Sequence, residues 1–297
     1  MKLLITGATG LTGGILLEKI AAAAPNSPID CLVRPTSDLD HLETLDLDLT
    51  YHQGDTSTGE TWDNLLEEHQ PETIIHIATV RHIETILDSL KRVGQTPRLI
   101  IVGSTGIYSQ YGEYSTIYKQ MEESLKGYPG SYCLLRPTMI YGSYRDKNIH
   151  KLIKFCDRYG SFFVFGKGNC LLQPVHTEDL ADALFKVWQN PHVAGTYDLS
   201  GGSVVTFREL LNLVSQGLNK RVIPLSFPLQ LGVFAAGILE NTLKQRSPIR
   251  KEQILRLQED KAYPNEQAKQ DFGFEPRSFE VGLLQEIQLM KEKGLIK

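Results

Sequence analysis

The sequence predicts an α/β protein built on a doubly wound parallel sheet of about seven strands, carrying a smaller C-terminal substrate lobe. Three observations lead there. Strand-like apolar runs alternate with helix-period runs from Lys2 to Arg136. Several of those runs are apolar almost throughout, as strands are when helices cover both faces of a parallel sheet. A glycine-rich turn stands between the first strand and the first helix.

Residues 2–6 form the first short strand, and 11–24 follow at helical period. Residues 29–34 are strand-like, and 49–54 make a weaker strand. A helix over 61–69 leads to a buried strand over 73–77. A helix over 81–93, a strand over 98–103, a helix over 115–125 and a strand over 131–136 complete the alternation. Crossovers between such strands are right-handed, which places helices on both faces. After Pro137 the rhythm becomes irregular, although a helix over 178–190 and a strand over 196–200 return to the first pattern. We therefore divide the chain into a dinucleotide-binding lobe, 1–142 and 178–202, and a substrate lobe, 143–177 and 203–297.

Bulk properties exclude several classes. With 41% apolar and 22% charged residues the chain matches ordinary globular proteins. A net charge of -4 supplies no bulk attraction for nucleic acid or an anionic membrane. The cysteines Cys31, Cys133, Cys156 and Cys170 are scattered, and no Cys/His pair has zinc-ligand spacing, so free thiols and no metal are expected. Met1 runs straight into the first strand with no secretory pattern, which makes the cytoplasm the expected compartment. The apolar stretch 227–239 falls short of the roughly 20 residues that span a bilayer, and a helix packed in the second lobe is expected. A monomer or homodimer is expected.

The turn reads Thr6-Gly7-Ala8-Thr9-Gly10-Leu11-Thr12-Gly13. In a Rossmann unit one glycine permits the tight turn, a second lets the backbone approach a pyrophosphate, and a third lets helix and strand pack. The helix start then offers unpaired N–H groups and a partial positive charge to the phosphates. Gly7, Thr9, Gly10, Leu11, Thr12 and Gly13 are thus candidate dinucleotide contacts. At the end of the second strand, where an acidic residue would bind a ribose 2′-hydroxyl, stands Arg34. A guanidinium attracts a 2′-phosphate, which favours NADP over NAD, with NAD still compatible. The other reading of Arg34 is an ordinary surface arginine. Asp55, after the third strand, is either an adenine partner or a turn residue.

The chain resembles the short-chain dehydrogenase/reductase superfamily on its extended or atypical side, which includes epimerase/dehydratase and NmrA-like proteins. The resemblance rests on TGATGLTG at 6–13, VGSTGIYS at 102–109, LRPTMIYG at 135–142, QPVHTEDLADAL at 173–184 and DFGFEPRSFEVGL at 271–283. It implies that Ser104 hydrogen-bonds the substrate oxygen and that Lys119 holds the nicotinamide ribose. It also implies that Ala78 and Thr79 lie near the cofactor's central ribose, and that Pro137, Thr138, Met139 and Ile140 pass the carboxamide. Tyr141, Gln173 and His176 fall on the substrate side.

One departure matters. The family pairs a tyrosine with a lysine four residues later, and here Ser115 precedes Lys119 at that spacing. Helix positions four apart lie about 40° apart and share a face, so the lysine can lower the tyrosine pKa. Tyr114 is displaced by about 140° from Lys119. Tyr118 has Glu122 at that spacing, so it could serve only as a neutral proton donor, and Tyr108 is another candidate. Glu122 and Glu123 are adjacent and face different ways, so they are not an acid/base pair. Arg145 is either an anion ligand or part of a solvated loop, and Asp179 reads as a helix-start residue. Two functions follow: an NADP-dependent oxidoreductase or epimerase-like enzyme acting on a small carbonyl, alcohol or nucleotide sugar, or a redox sensor that binds NADP(H) without turnover.

Overall fold

The structure, a computed structural model, describes residues 2–146, 148–243 and 251–297. The N-terminal part runs β1 (Leu3–Thr6), α1 (Leu11–Ala23), β2 (Pro28–Val33), β3 (Asp48–Gln53), α2 (Gly59–His69), β4 (Thr73–His76), α3 (Ile83–Val93), β5 (Arg98–Val102), α4 (Gly112–Lys126) and β6 (Tyr132–Pro137). Next come β7 (Ile140–Tyr141), α5 (Ile149–Tyr159), β8 (Ser161–Phe165), β9 (Leu171–Leu172), β10 (Val175–His176), α6 (Thr177–Gln189) and β11 (Gly195–Leu199). The chain ends with β12 (Val205–Thr206), α7 (Phe207–Leu218), β13 (Ile223–Phe227), α8 (Leu229–Leu243), α9 (Lys251–Leu255), α10 (Glu266–Phe272) and α11 (Phe279–Glu292).

The main sheet has seven strands in the order β11-β6-β5-β4-β1-β2-β3, and all its pairings are parallel. The chain reverses direction of travel across the sheet between β1 and β4, which is where a doubly wound sheet opens a crevice at its carboxyl edge. Register explains the uninterrupted apolar strands. Ile5 lies beside Cys31 and Ile75, and Leu4 beside Asp30 and Ile74. One core, containing Ile5, Ile75 and Leu135, fills the face under α1 and α6. The other, containing Leu4, Leu99 and Leu134, fills the face under α2, α3 and α4. Cys31 and Cys133 are buried free thiols in the first core.

A third core belongs to the second lobe and gathers Ile153, Leu210, Val214, Phe279 and Leu283 from α5, α7 and α11. The lobes interleave more than the division drawn from sequence. Tyr141, placed in the first lobe, packs in the second core. Ala268 and Phe274, placed in the second, pack in the first. The stretch 227–239 also differs from expectation. From Leu229 it is helical in α8, and Ala236 is buried, but Leu231 and Phe234 are 59% and 68% exposed. No helix among the described residues is long and apolar enough to cross a membrane.

Candidate functional site

The glycine turn is shaped by contacts that admit no side chain. Gly7 adopts φ +77°, and a Cβ there would lie 2.9 Å from the Ala78 nitrogen at the end of β4. A Cβ on Gly13 would lie 2.2 Å from the Gly7 carbonyl oxygen, so only glycine lets α1 sit against the turn. Gly10 is exposed and N-caps α1 with no side-chain hydrogen bond, and the first turn of α1 holds no acidic residue. Its N–H bonds the Gly7 carbonyl at 3.0 Å, which closes the loop. The leading amides of α1 are thus left without a protein cap, beside a bare glycine surface. That arrangement fits a pyrophosphate. Thr12 is committed elsewhere, its hydroxyl 3.1 Å from that of Thr177 on α6.

The neighbouring loops carry the other cofactor candidates. Arg34 is exposed just past β2, and Asp55 follows β3. Hydrogen bonds from the Ser57 hydroxyl and amide hold the Asp55 carboxyl below the usual range, and the charges of His82 and Arg34 add to this. At the end of β4, His76 is buried between the Thr6 hydroxyl, 2.7 Å from Nδ1, and the Thr79 carbonyl, 3.0 Å from Nε2. A carbonyl only accepts, so Nε2 carries the proton and Thr6 donates to Nδ1. Burial pushes the His76 pKa down to about 4, so the ring is neutral. This fastens Ala78 and exposed Thr79 beside the glycine turn.

Ser104 leaves β5 and caps the short 3-10 turn Thr105–Tyr108, its oxygen accepting from the Gly106 amide at 3.0 Å. Its hydroxyl proton is left for another acceptor. Thr105 bonds the Pro137 carbonyl, and Thr138 is held by Leu199 and Gln173, so the ends of β5, β6 and β11 are stitched together. Met139 and Ile140 continue half-buried from there.

A polar network that the sequence did not signal lies beside this junction. Arg136 on β6 grips Glu122 of α4 through two bonds, Nε to Oε1 at 2.7 Å and Nη2 to Oε2. It also reaches Asp198 on β11 and donates to the Tyr108 hydroxyl at 2.8 Å. Tyr108 donates to Asp198 at 2.7 Å and stacks on Tyr263 from the second lobe. Burial and the Asp198 carboxylate push the Tyr108 pKa up to about 12. The face of α4 turned to the sheet therefore carries Glu122 and half-buried Tyr118, which packs on the α3 side of the core. Ser115 is 5% exposed, and Lys119 is exposed on the adjoining face. Glu123 instead pairs with Lys126. The side chain of Tyr114 lies outside the described residues.

The substrate-side candidates are spread more widely. Tyr141 is fully buried, with its ring edge-on to His176 at 5.1–5.2 Å from both His176 and Phe279 centroids. His176 is 3% exposed, caps α6 by accepting from the Glu178 amide, and is held neutral by burial at a pKa of about 4. Both therefore serve the junction of the lobes and do not line an open wall. Gln173 is half-buried and bonds the backbone of Gly201 and Tyr263. Asp179 lies in the first turn of α6 and binds Arg277 of the second lobe at 2.9 Å. Arg145, past β7, extends its guanidinium to the Thr9 carbonyl of the glycine turn at 3.4 Å. Glu259 bonds Ser109 and the Gln110 amide, tying the loop after Ser104 to the second lobe. Beyond Glu259, Leu257, Gln258 and Asp260 line a cavity of about 560 Å³ with residues 165–170.

Residues 3–93 match the NAD dependent epimerase/dehydratase family. A curated relative, short-chain dehydrogenase/reductase family 42E member 1 of Mus musculus, is 27% identical over 163 residues, 50% of this chain and 41% of that protein. The chain thus spans less than half the length of the curated relative it matches. Among solved structures, dTDP-glucose 4,6-dehydratase of Streptomyces venezuelae with NAD and TYD bound has a TM-score of 0.75 at 18% identity, covering 100% of this chain and 99% of that one. UDP-glucose 4-epimerase of Thermotoga maritima with UDP-glucose has a TM-score of 0.73 at 16% identity, covering 99% of each. Residues 3–93 are thus similar to the NAD dependent epimerase/dehydratase family, and the seven parallel strands opening at a glycine turn share the fold of these solved structures.

Proposed function

We propose that the protein is an NADP-dependent, epimerase-like oxidoreductase acting on a small carbonyl or alcohol, with nucleotide-linked sugars as the favoured class. The observation that carries this reading is the uncapped start of α1 beside the bare backbone of Gly10 at the switch point of the sheet. The turn formed by Gly7, Thr9, Gly10, Leu11, Thr12 and Gly13 holds the pyrophosphate, Thr12 through its backbone alone because its hydroxyl is bonded to Thr177. Arg34 binds the 2′-phosphate, and Asp55, fixed through one oxygen by Ser57, offers its other oxygen to the adenine amine. Ala78 and Thr79 border the cofactor's central ribose, Lys119 the nicotinamide ribose, and Pro137 to Ile140 the carboxamide. The nicotinamide, when bound, supplies the hydride acceptor or donor.

Ser104 orients the substrate oxygen. Its oxygen accepts from the Gly106 amide, which leaves the hydroxyl proton available to donate to the substrate oxygen. Tyr108 and Tyr118 are the proton-donor candidates; the Tyr108 hydroxyl donates to Asp198 in this structure and would have to turn from that carboxylate to the substrate, while Arg136, which donates to its oxygen, steadies the charge left behind. Arg145, at the edge of the glycine turn, adds a cation to the phosphate face.

Calorimetry and turnover test this together. NADPH binds more tightly than NADH, and Arg34→Asp reverses or removes the preference by about tenfold or more. Ser104→Ala lowers kcat by roughly 100-fold with little change in cofactor affinity. Equal affinity for both nucleotides before and after Arg34→Asp would remove the NADP assignment. Turnover unchanged by Ser104→Ala would remove Ser104 from the chemistry. The sensor reading is favoured by one observation, buried Ser115 where the family tyrosine belongs. It predicts tight NADPH binding with no oxidation against any carbonyl or nucleotide sugar.

A further inference from the structure

Away from the crevice, three side chains converge that are distant in sequence. Asp30 lies in β2, His52 on the neighbouring edge strand β3, and His69 is the last residue of α2. His52 Nε2 is 2.7 Å from Asp30 Oδ1, and His69 Nδ1 is 3.3 Å from the same oxygen. The two imidazole centroids are 4.2 Å apart at 58°. One donor atom from each residue falls within 4.8 Å of the other two. All three side chains are half-buried.

We propose that Asp30, His52 and His69 form a binding site for a divalent transition-metal ion of the zinc class. Donor atoms around a tetrahedral zinc with bonds of about 2.0–2.1 Å sit roughly 3.3 Å apart; His69 Nδ1 already stands at that spacing from Asp30 Oδ1, and His52 Nε2, hydrogen-bonded at 2.7 Å, has only to draw back by about 0.6 Å as the ion replaces its proton. Two imidazoles with one carboxylate select zinc-like ions over Mg²⁺ and Ca²⁺, which need oxygen shells. The site also lies at the carboxyl end of a helix, where the dipole favours a cation.

A second observation separates a metal site from a mere hydrogen-bonded cluster. His69 Nε2 is buried and has no hydrogen-bond partner among the described residues. The carboxylate oxygen Oε2 of Glu68 stands 3.6 Å from it. If a neutral His69 donated from Nδ1 to Asp30, Nε2 would present a lone pair to that carboxylate, which is unfavourable. With a metal on Nδ1, the proton resides on Nε2 and faces Glu68. That is the outer carboxylate that metal-bound imidazoles use to fix their ring and tautomer. Three protein ligands leave a position for water, and the ion would pin α2 to the edge strand β3. The absence of zinc-like spacing in the sequence does not bear on this, because the donors come from two strands and a helix end.

The test uses the full chain, stripped with a chelator and titrated with Co²⁺. One equivalent binds with visible ligand-field bands, Zn²⁺ displaces it, and Mg²⁺ does not. His52→Gln and His69→Gln each weaken Co²⁺ binding at least 100-fold, and Glu68→Gln about tenfold. Cys170→Ser, which removes the half-buried thiol, leaves the bands in place. NADPH affinity is unchanged in the histidine variants, so this result stands or falls apart from the cofactor reading. Absence of bands in a protein whose circular dichroism is native would overturn the proposal. So would bands that survive in both histidine variants, or that vanish in Cys170→Ser.

Discussion

Glu286 on α11 is a carboxyl at 1% exposure, accepting from the Gly142 amide at 2.9 Å while its other oxygen has no partner among the described residues. Burial, and then the nearby Asp146 carboxyl, push its pKa from 4.5 to about 10. A group whose folded pKa is raised holds a proton that the unfolded chain has released. Stability therefore falls as pH rises from about 4.5 towards about 10, the interval between the two pKa values. Glu286→Gln keeps an acceptor for Gly142 and removes the titration. Its melting temperature should match wild type near pH 5 and exceed it increasingly at alkaline pH. A constant offset across that range would mean that Glu286 does not titrate between the two states. His76 and His176 behave oppositely: both are buried and neutral with pKa values near 4, so their stabilising contribution is present above the ordinary histidine range and declines in acid.

At the scale of the element, α1 separates folding from binding. Gly10 has φ -76° and ψ 167°, values open to any residue, although a Cβ would come to 3.0 Å from the Gly7 oxygen. Gly10→Asp supplies the helix with a capping carboxylate, worth a few tenths of a kcal/mol over glycine where the turn tolerates it. The same carboxylate occupies the anion position and repels a pyrophosphate. The variant should fold with near-native melting temperature and lose at least tenfold in NADPH affinity; retained affinity would place the diphosphate elsewhere. This turn and the strands behind it were legible in the sequence because their determinants are local: apolar periodicity, and glycines at a strand-to-helix junction. The seven-strand sheet followed from the same alternation. The setting of Tyr141 and His176 was not legible. It is imposed by α11, where a Cβ on Gly282 would lie 2.1 Å from the Tyr141 hydroxyl, and nothing in 135–142 or 173–184 encodes that approach. The Arg136–Glu122–Tyr108–Asp198 network was hidden for the same reason: its members come from four separate elements.

At the scale of the molecule, the interleaving of the lobes sets how it unfolds. Strand β11 and helix α6 return to the sheet after the chain has entered the second lobe. Ala268 and Phe274, near the end of the chain, complete the core under α1 and α6. Arg277 reaches back to Asp179 and Glu178, and Glu259 to Ser109. Neither lobe can lose its structure without stripping apolar cover from the other, so one cooperative transition is expected in spite of two hydrophobic centres. A ligand held by the first lobe must then stabilise both. At NADPH about 100 times its dissociation constant, binding contributes about 2.7 kcal/mol. For a chain of this size that corresponds to a rise of roughly 4–5 °C in the midpoint. Calorimetry with a reporter in each lobe, Trp62 under the sheet and the tyrosines of the second lobe, reads the outcome. Two transitions, with only the Trp62 signal moved by NADPH, would mean that the shared core does not couple the lobes, and that the cleft between them opens independently of the cofactor.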